Sequence, residues 1–155
     1  MAEPKISSIG IVDVDFGTNV HVVQPVNLYS CTIGHSSFIG PFVEIQKNVQ
    51  IGSRCKIQSH SFICELVTIG DDSVVAHGVM FINDRFKLGQ PAQGNKVLWE
   101  KTNIGRRVYI GSNSTILPVS ICDDVVIGAG SVVIRDITKS GVYAGNPAHF
   151  IRGVK

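Results

Sequence analysis

The chain has 155 residues, enough for one domain with a buried core, and carries 14 lysines and arginines against 12 aspartates and glutamates. A formal charge of +2, with no lysine- or arginine-rich run, leaves no electrostatic footprint for nucleic acid. No segment approaches the ~18 apolar residues of a membrane span, and MAEPKISSIG lacks the apolar stretch of a signal peptide.

In chain order, Val14, Val20 and Val26 stand six apart, with one extra residue before Ile33. They predict a loose first coil over residues 1–32. From Ile33 the beat is strict: Ile33, Ile39, Ile45, Ile51, Ile57, Ile63, Ile69, Val75 and Phe81. A small or β-branched residue stands four positions after most of these, from Ser37, Val43, Val49 and Cys55 to Val79. A helix face needs spacings of three and four and a strand needs two, so six fits neither. It is the period of a hexapeptide β-helix, in which each short strand sends one aliphatic inward and then turns a corner. Gly34, Gly40, Gly52 and Gly70 follow the inward residue, and the expectation is that they ease the bend through positive φ.

Three hexads close one triangular coil, so residues eighteen apart lie one above another at the ~4.8 Å strand spacing. Hexads at 33, 51 and 69 then form a first face, those at 39, 57 and 75 a second, and those at 45, 63 and 81 a third. Regular coils are expected over residues 33–84. At FINDRF the beat stops, and RFKLGQPAQGNKVLWEKTN (residues 85–103) reads as an extruded loop. Loops of nearly twenty residues in a small domain are uncommon and usually functional, the alternative being a decorative insertion. The beat returns at Ile104, Ile110 and Ile116, then Ile121, Ile127 and Val133, giving coils over 104–138 and a C-terminal cap over 139–155. The whole is one all-β domain, residues 1–155. The stack exposes unpaired backbone at each end, and its flat side favours packing on copies of itself, threefold symmetry being a natural closed solution.

At the loop root Asn83 and Asp84 replace the aliphatic pattern, with Arg85 alongside. Glu65, eighteen residues earlier, should lie directly beneath Asn83. Two carboxylates and an amide then share one edge; a solvated corner is the plainer reading, and coincidence with the loop favours a site. Cys31, Cys55 and Cys64 sit among aliphatics and no CxxC pair occurs, which reads as reduced core thiols and a cytoplasmic protein. His21, His35 and His149 read as surface or interface residues. His60 and His77 belong to the second face, where either could reach across an interface as a base.

The hexads, the loop and the closing GVYAGNPAHFIR resemble the left-handed β-helix acyltransferases that use acetyl-CoA. Within them VNLYSCTIG, PFVEIQ, SHSFICE, GVMFINDRF and ILPVSICDDVVIGAGSVV are similar to the nucleotide-sugar N-acetyltransferases that acetylate 3-amino sugars for surface polysaccharides. That resemblance covers nearly all of the chain from Val26 onward. It implies that Asn83 and Asp84 lie at the sugar's amino group, that Glu65 faces the sugar one coil below, and that Arg85 and Phe86 line the substrate site. It further implies a trimer, with pantetheine running between two subunits past Ser112 and Ala129. The Asn146-Pro147-Ala148 turn would stand beside the adenine, with Arg152 and Lys155 near the phosphates. The expected co-substrates are acetyl-CoA and a UDP- or dTDP-linked amino sugar.

The O-acetyltransferases of this fold carry a catalytic histidine shortly after the corresponding corner; this loop has none. A hydroxyl needs a base partner to become a nucleophile. An amine titrating near ~8 does not. The γ-type carbonic anhydrases of similar fold bind zinc through a histidine pair at a spacing absent here, so no metal is expected. No GxxxxGK[ST] or GxGxxG motif suggests an ATP or NAD step. N-acetylation is the expected activity. Sugar O-acetylation and a non-catalytic assembly module are the alternatives.

Overall fold

A computed structural model describes residues 3–154. Short parallel strands stack into three sheets that wrap a triangular prism, the left-handed β-helix that the hexads predict. The faces fall as the eighteen-residue rule requires. Ile33, Ile51 and Ile69 stand in register on the first face. Ile39, Ile57 and Val75 do so on the second, and Ile45 and Ile63 on the third. From Thr32–Ile33 onward one side chain of each two-residue strand points in, as in Phe62–Ile63, where Ile63 is 0% exposed. Burying each such aliphatic contributes roughly 1.5–3 kcal/mol, and the inward stripe packs with the column of small residues, among them Val43, Val49, Cys55 and Val79, to form the core.

The first coil is threaded differently from the pattern read at Val14, Val20 and Val26. In register with Ile33, Ile39 and Leu28's partner Ile45 stand Phe16, Val22 and Leu28. Each lies 17 residues before its partner (33 − 16, 39 − 22, 45 − 28), so the coil is one residue short. The valine spacing of six was real, but those valines occupy the small-residue position beneath Cys31, Ser37 and Val43. Phe16 is 41% exposed, because nothing among the described residues stacks below it.

The glycines also differ from expectation. Positive φ falls two positions later, on Ser36, Arg54 and Asp72 (φ 55, 56 and 60), not on Gly34, Gly52 and Gly70. Glycine is required for a different reason: a Cβ on Gly34 would lie 2.5 Å from the carbonyl carbon of Gly52, and one on Gly70 2.7 Å from that of Gly105. The coils close-pack at this corner with no room for a side chain. The turn residues absorb the left-handed strain themselves.

The loop leaves the third face after Met80–Phe81 and the chain rejoins the first at Thr102–Ile104. Val67 pairs with Thr102, 35 residues on (102 − 67) where 18 would complete a coil. Ala92 is buried in the loop and one short 3-10 turn, Lys96–Leu98, forms within it. At the far end Gly141–Gly145 extends the second face in parallel, and Ala148–Arg152 folds back antiparallel on it through Asn146-Pro147, covering that edge.

Candidate active site

The corner between the third and first faces carries a polar column. Lys47, Glu65 and Asn83 are successive members, eighteen apart (65 − 47, 83 − 65). Asn83 donates its amide N–H to the Glu65 carbonyl at 3.3 Å, so the predicted stacking is present. Glu65 is only 8% exposed. Its carboxylate meets Lys96 Nζ from the loop at 3.0 Å and Lys47 Nζ at 3.8 Å. One coil lower, Gln46 donates to Glu44 at 3.1 Å and accepts the Glu65 N–H at 3.3 Å. Burial, and then the Glu44 and Glu65 carboxylates, push the Tyr29 hydroxyl above its usual pKa, so it stays a neutral donor on this wall.

Asp84 does something the spacing did not reveal. Its Oδ1 accepts the Phe86 N–H at 2.9 Å and its Oδ2 the Ala92 N–H at 2.7 Å. The carboxylate therefore clamps the loop root, and lets Phe86 take a positive φ of 51°. A carboxylate has about four lone-pair directions, so capacity remains for a ligand amine. Arg85 turns to the Pro118 carbonyl and lies 3.4 Å from Glu100, which also holds Lys87 at 3.0 Å. Phe86 is exposed.

His60 and His77 lie on a different corner, between the second and third faces. His60 stacks on Phe42 with centroids 4.9 Å apart, and His77 accepts the Asn113 N–H through its carbonyl at 2.9 Å. Ser112 and Ala129 continue this corner upward, Ser112 accepting the Gly130 N–H at 2.8 Å. Asn146, Pro147, Ala148 and His149 line a groove with Ile134 and Arg135 at its upper end. The Arg152 guanidinium rests on the Gly153 carbonyl at 2.9 Å, and Lys155 falls outside the described residues. His35 instead accepts the Thr18 N–H at 2.8 Å.

The amine-site candidates and the acyl-carrier candidates thus bracket the third face from opposite corners. His60 and Glu65 share one coil, His77 and Asn83 the next. Sequence reasoning missed Tyr29, Gln46, Lys47, Lys96 and Glu100. Lys47 was within reach, being eighteen before Glu65; Lys96 was not, because no periodicity places a loop residue.

Residues 30–65 match the bacterial transferase hexapeptide family (six repeats), and residues 101–135 match the hexapeptide repeat of succinyl-transferase. The chain belongs to the hexapeptide-repeat family. This hexapeptide-repeat protein is 28% identical to the bifunctional protein GlmU of Trichodesmium erythraeum over 88% of its own length, but spans only 30% of that protein. It is 32% identical to the galactoside O-acetyltransferase of Escherichia coli, over 79% of this chain and 64% of that one. In fold it is similar to AntD, an N-acyltransferase from Bacillus cereus solved with dTDP and 3-hydroxybutyryl-CoA (TM-score 0.81, 23% identity, 94% of this chain and 85% of that one).

Proposed function

We propose that the protein is an acetyl-CoA-dependent N-acetyltransferase acting on the amino group of a UDP- or dTDP-linked amino sugar in surface polysaccharide synthesis. The observation that carries this reading is the loop root. An amide, Asn83, and two carboxylates, Asp84 and Glu65, share one edge, with no imidazole in the loop. Such a set can orient an amine by hydrogen bonds but offers no strong base for a hydroxyl. The structural likeness to an N-acyltransferase that holds dTDP and an acyl-CoA lends support.

In this reading the free amine attacks the thioester carbonyl, the C–S bond of the tetrahedral intermediate breaks, and the departing thiolate takes the proton lost by nitrogen. The protein's part is to hold amine and carbonyl at ~3 Å and to stabilise the oxyanion. Ser112 and Ala129 would flank pantetheine, with the Asn146-Pro147 groove and Arg152 toward the nucleotide end. Within one chain His60 and Glu65 are five residues apart, at most about 17 Å at ~3.3 Å per residue of extended chain. That gap supports a trimer, in which the neighbour's acyl-carrier corner meets this chain's amine corner at the same coil. Consumption of acetyl-CoA and reduced core thiols fit the cytoplasm.

Thiol release from acetyl-CoA, measured against a panel of nucleotide amino sugars and their hydroxyl counterparts, tests the proposal. Release with amines alone is expected. Release with hydroxyl sugars alone would make the protein an O-acetyltransferase, the reading that the galactoside enzyme's likeness favours. No release with either would leave an assembly module.

A further inference from the structure

Besides the contact of Arg85 with the Pro118 carbonyl, three sets of contacts hold the loop. Asp84 clamps its outgoing arm through the Phe86 and Ala92 amides. Glu100 closes the returning arm, donating its N–H to the Asn83 carbonyl at 2.9 Å and pairing with Lys87 at 3.0 Å. Both sets tie the loop to its own root. The third is different. Lys96 reaches back to the coil below and places Nζ 3.0 Å from the Glu65 carboxylate.

Its local structure aims it there. The Asn95 side chain accepts the Val97 N–H at 3.3 Å and so caps the Lys96–Leu98 turn. The Trp99 ring lies 5.4 Å from the ammonium on the same turn. Donor and acceptor are unlike: the Lys96 side chain is 52% exposed and that of Glu65 only 11%. A buried carboxylate is costly without a cation beside it. Lys47, rooted in the coil, stands further off at 3.8 Å. An ammonium therefore already occupies one of the two carboxylates on the edge proposed to orient the substrate's amine.

We infer that Lys96 is a built-in stand-in for the substrate ammonium, seated on Glu65 while the site is empty and displaced when an amine enters as its cation. For the identity of the substrate this rests on the N-acetyltransferase reading. Exchanging one ammonium for another leaves the charge on Glu65 compensated, so the cost of entry is only the loop's own contact. A neutral hydroxyl offers no such exchange, because removing Lys96 would leave the carboxylate without its nearest cation. The latch therefore selects for primary amines that arrive protonated; the bound ammonium, titrating near ~8, then gives its extra proton to solvent water, and the free amine that remains attacks the thioester. It also weakens apparent amine affinity by the fraction of time that Lys96 holds the seat.

Lys96→Met separates the possibilities, with Lys96→Arg as the conservative control. Hydrogen exchange of the loop amides, read by mass spectrometry on the free protein, is expected to be several-fold faster in Lys96→Met and near wild type in Lys96→Arg. This measurement needs no substrate, so it stands even if no amino sugar is acetylated and the functional reading falls. On an active amino sugar, Lys96→Met should lower the amine KM about threefold to tenfold, with kcat and the acetyl-CoA KM held within twofold. Unchanged loop exchange in Lys96→Met overturns the latch. So does a raised amine KM, which would make Lys96 a substrate contact and not its rival.

Discussion

Asp84 carries two duties through one carboxylate, and its substitution should show both. Charge-assisted hydrogen bonds to backbone N–H groups are each worth about 1.5–3 kcal/mol, and Asp84 makes two, to Phe86 and Ala92. Asp84→Ala is expected to lower kcat/KM by about tenfold to a thousandfold. It should also free the loop root, seen as fast exchange at the Phe86 and Ala92 amides. The core lined by Ile45, Ile63 and Phe81 takes no part in these bonds, so their loss should open the loop locally, ahead of the prism's own cooperative unfolding, and the thermal midpoint should barely move. An Asp84→Ala protein with wild-type activity would reduce the residue to a structural clamp. The buried thiols make a separate case. Burial pushes Cys64 up to about 12 and Cys31 up to about 11. A disulfide reagent at neutral pH should therefore reach half-buried Cys122 first and leave the other thiols for the unfolded chain.

The prism and the loop separate as folding units. Excising residues 85–101 removes the 17 residues by which the Val67–Thr102 pairing exceeds a normal coil (35 − 18). Such a chain is expected to keep its β-sheet circular dichroism and cooperative unfolding while losing acetyl transfer. Loss of the fold would mean that the loop's buried Ala92 and its ion pairs are structural. The corner between the first and second faces is held differently, by a ladder of charges. Arg54 pairs with Asp72 at 2.6 Å, and Arg107 with Asp124 at 2.7 Å. The hydrogen bond from Arg54 holds Asp72 below the usual 3.8, and that from Arg107 does the same for Asp124. A depressed carboxylate pKa contributes stability above the usual carboxylate range, and that contribution is lost as pH falls through the depressed value. The thermal midpoint should thus drop as pH falls below about 4, and drop less in Arg54→Met.

How far the sequence carried the fold follows from what sets each feature. The faces were readable because one rule, an inward aliphatic every six residues, is enforced by burial in the coils from Ile33 to Phe81. The glycine column was readable but for the wrong reason, since close approach of stacked backbones leaves the same mark as a positive φ. In the first coil Val14, Val20 and Val26 kept the beat while the register slipped by one residue, a shift that only the pairing with Ile33 and Ile39 reveals. At the site, Glu65 under Asn83 followed from the eighteen-residue rule. Asp84 on the loop amides and Lys96 on Glu65 did not, because both depend on the loop's path, which no period fixes.

For the whole molecule the decisive matter is whether one chain holds a complete site. The amine corner and the acyl-carrier corner lie on opposite sides of the third face, yet their members share coils. A threefold axis parallel to the prism preserves height, so it would bring Asn83 and Asp84 of one chain level with His77 of the next. Two variants test this together. Asp84→Ala disables the amine corner. Ala129→Trp obstructs the carrier corner at an exposed position where a large side chain leaves the core untouched. Each alone should keep at most about a tenth of wild-type activity, and each should sediment as a trimer. Refolded together in equal amounts, the two should regain about a quarter of wild-type activity, because half of the amine corners and half of the carrier corners are intact and they meet at random around the ring. A site contained in one chain predicts no recovery, since every chain would then carry a broken half. Recovery without trimers in the sedimentation profile would point to a different assembly. A monomer that retains full activity would remove the shared site altogether.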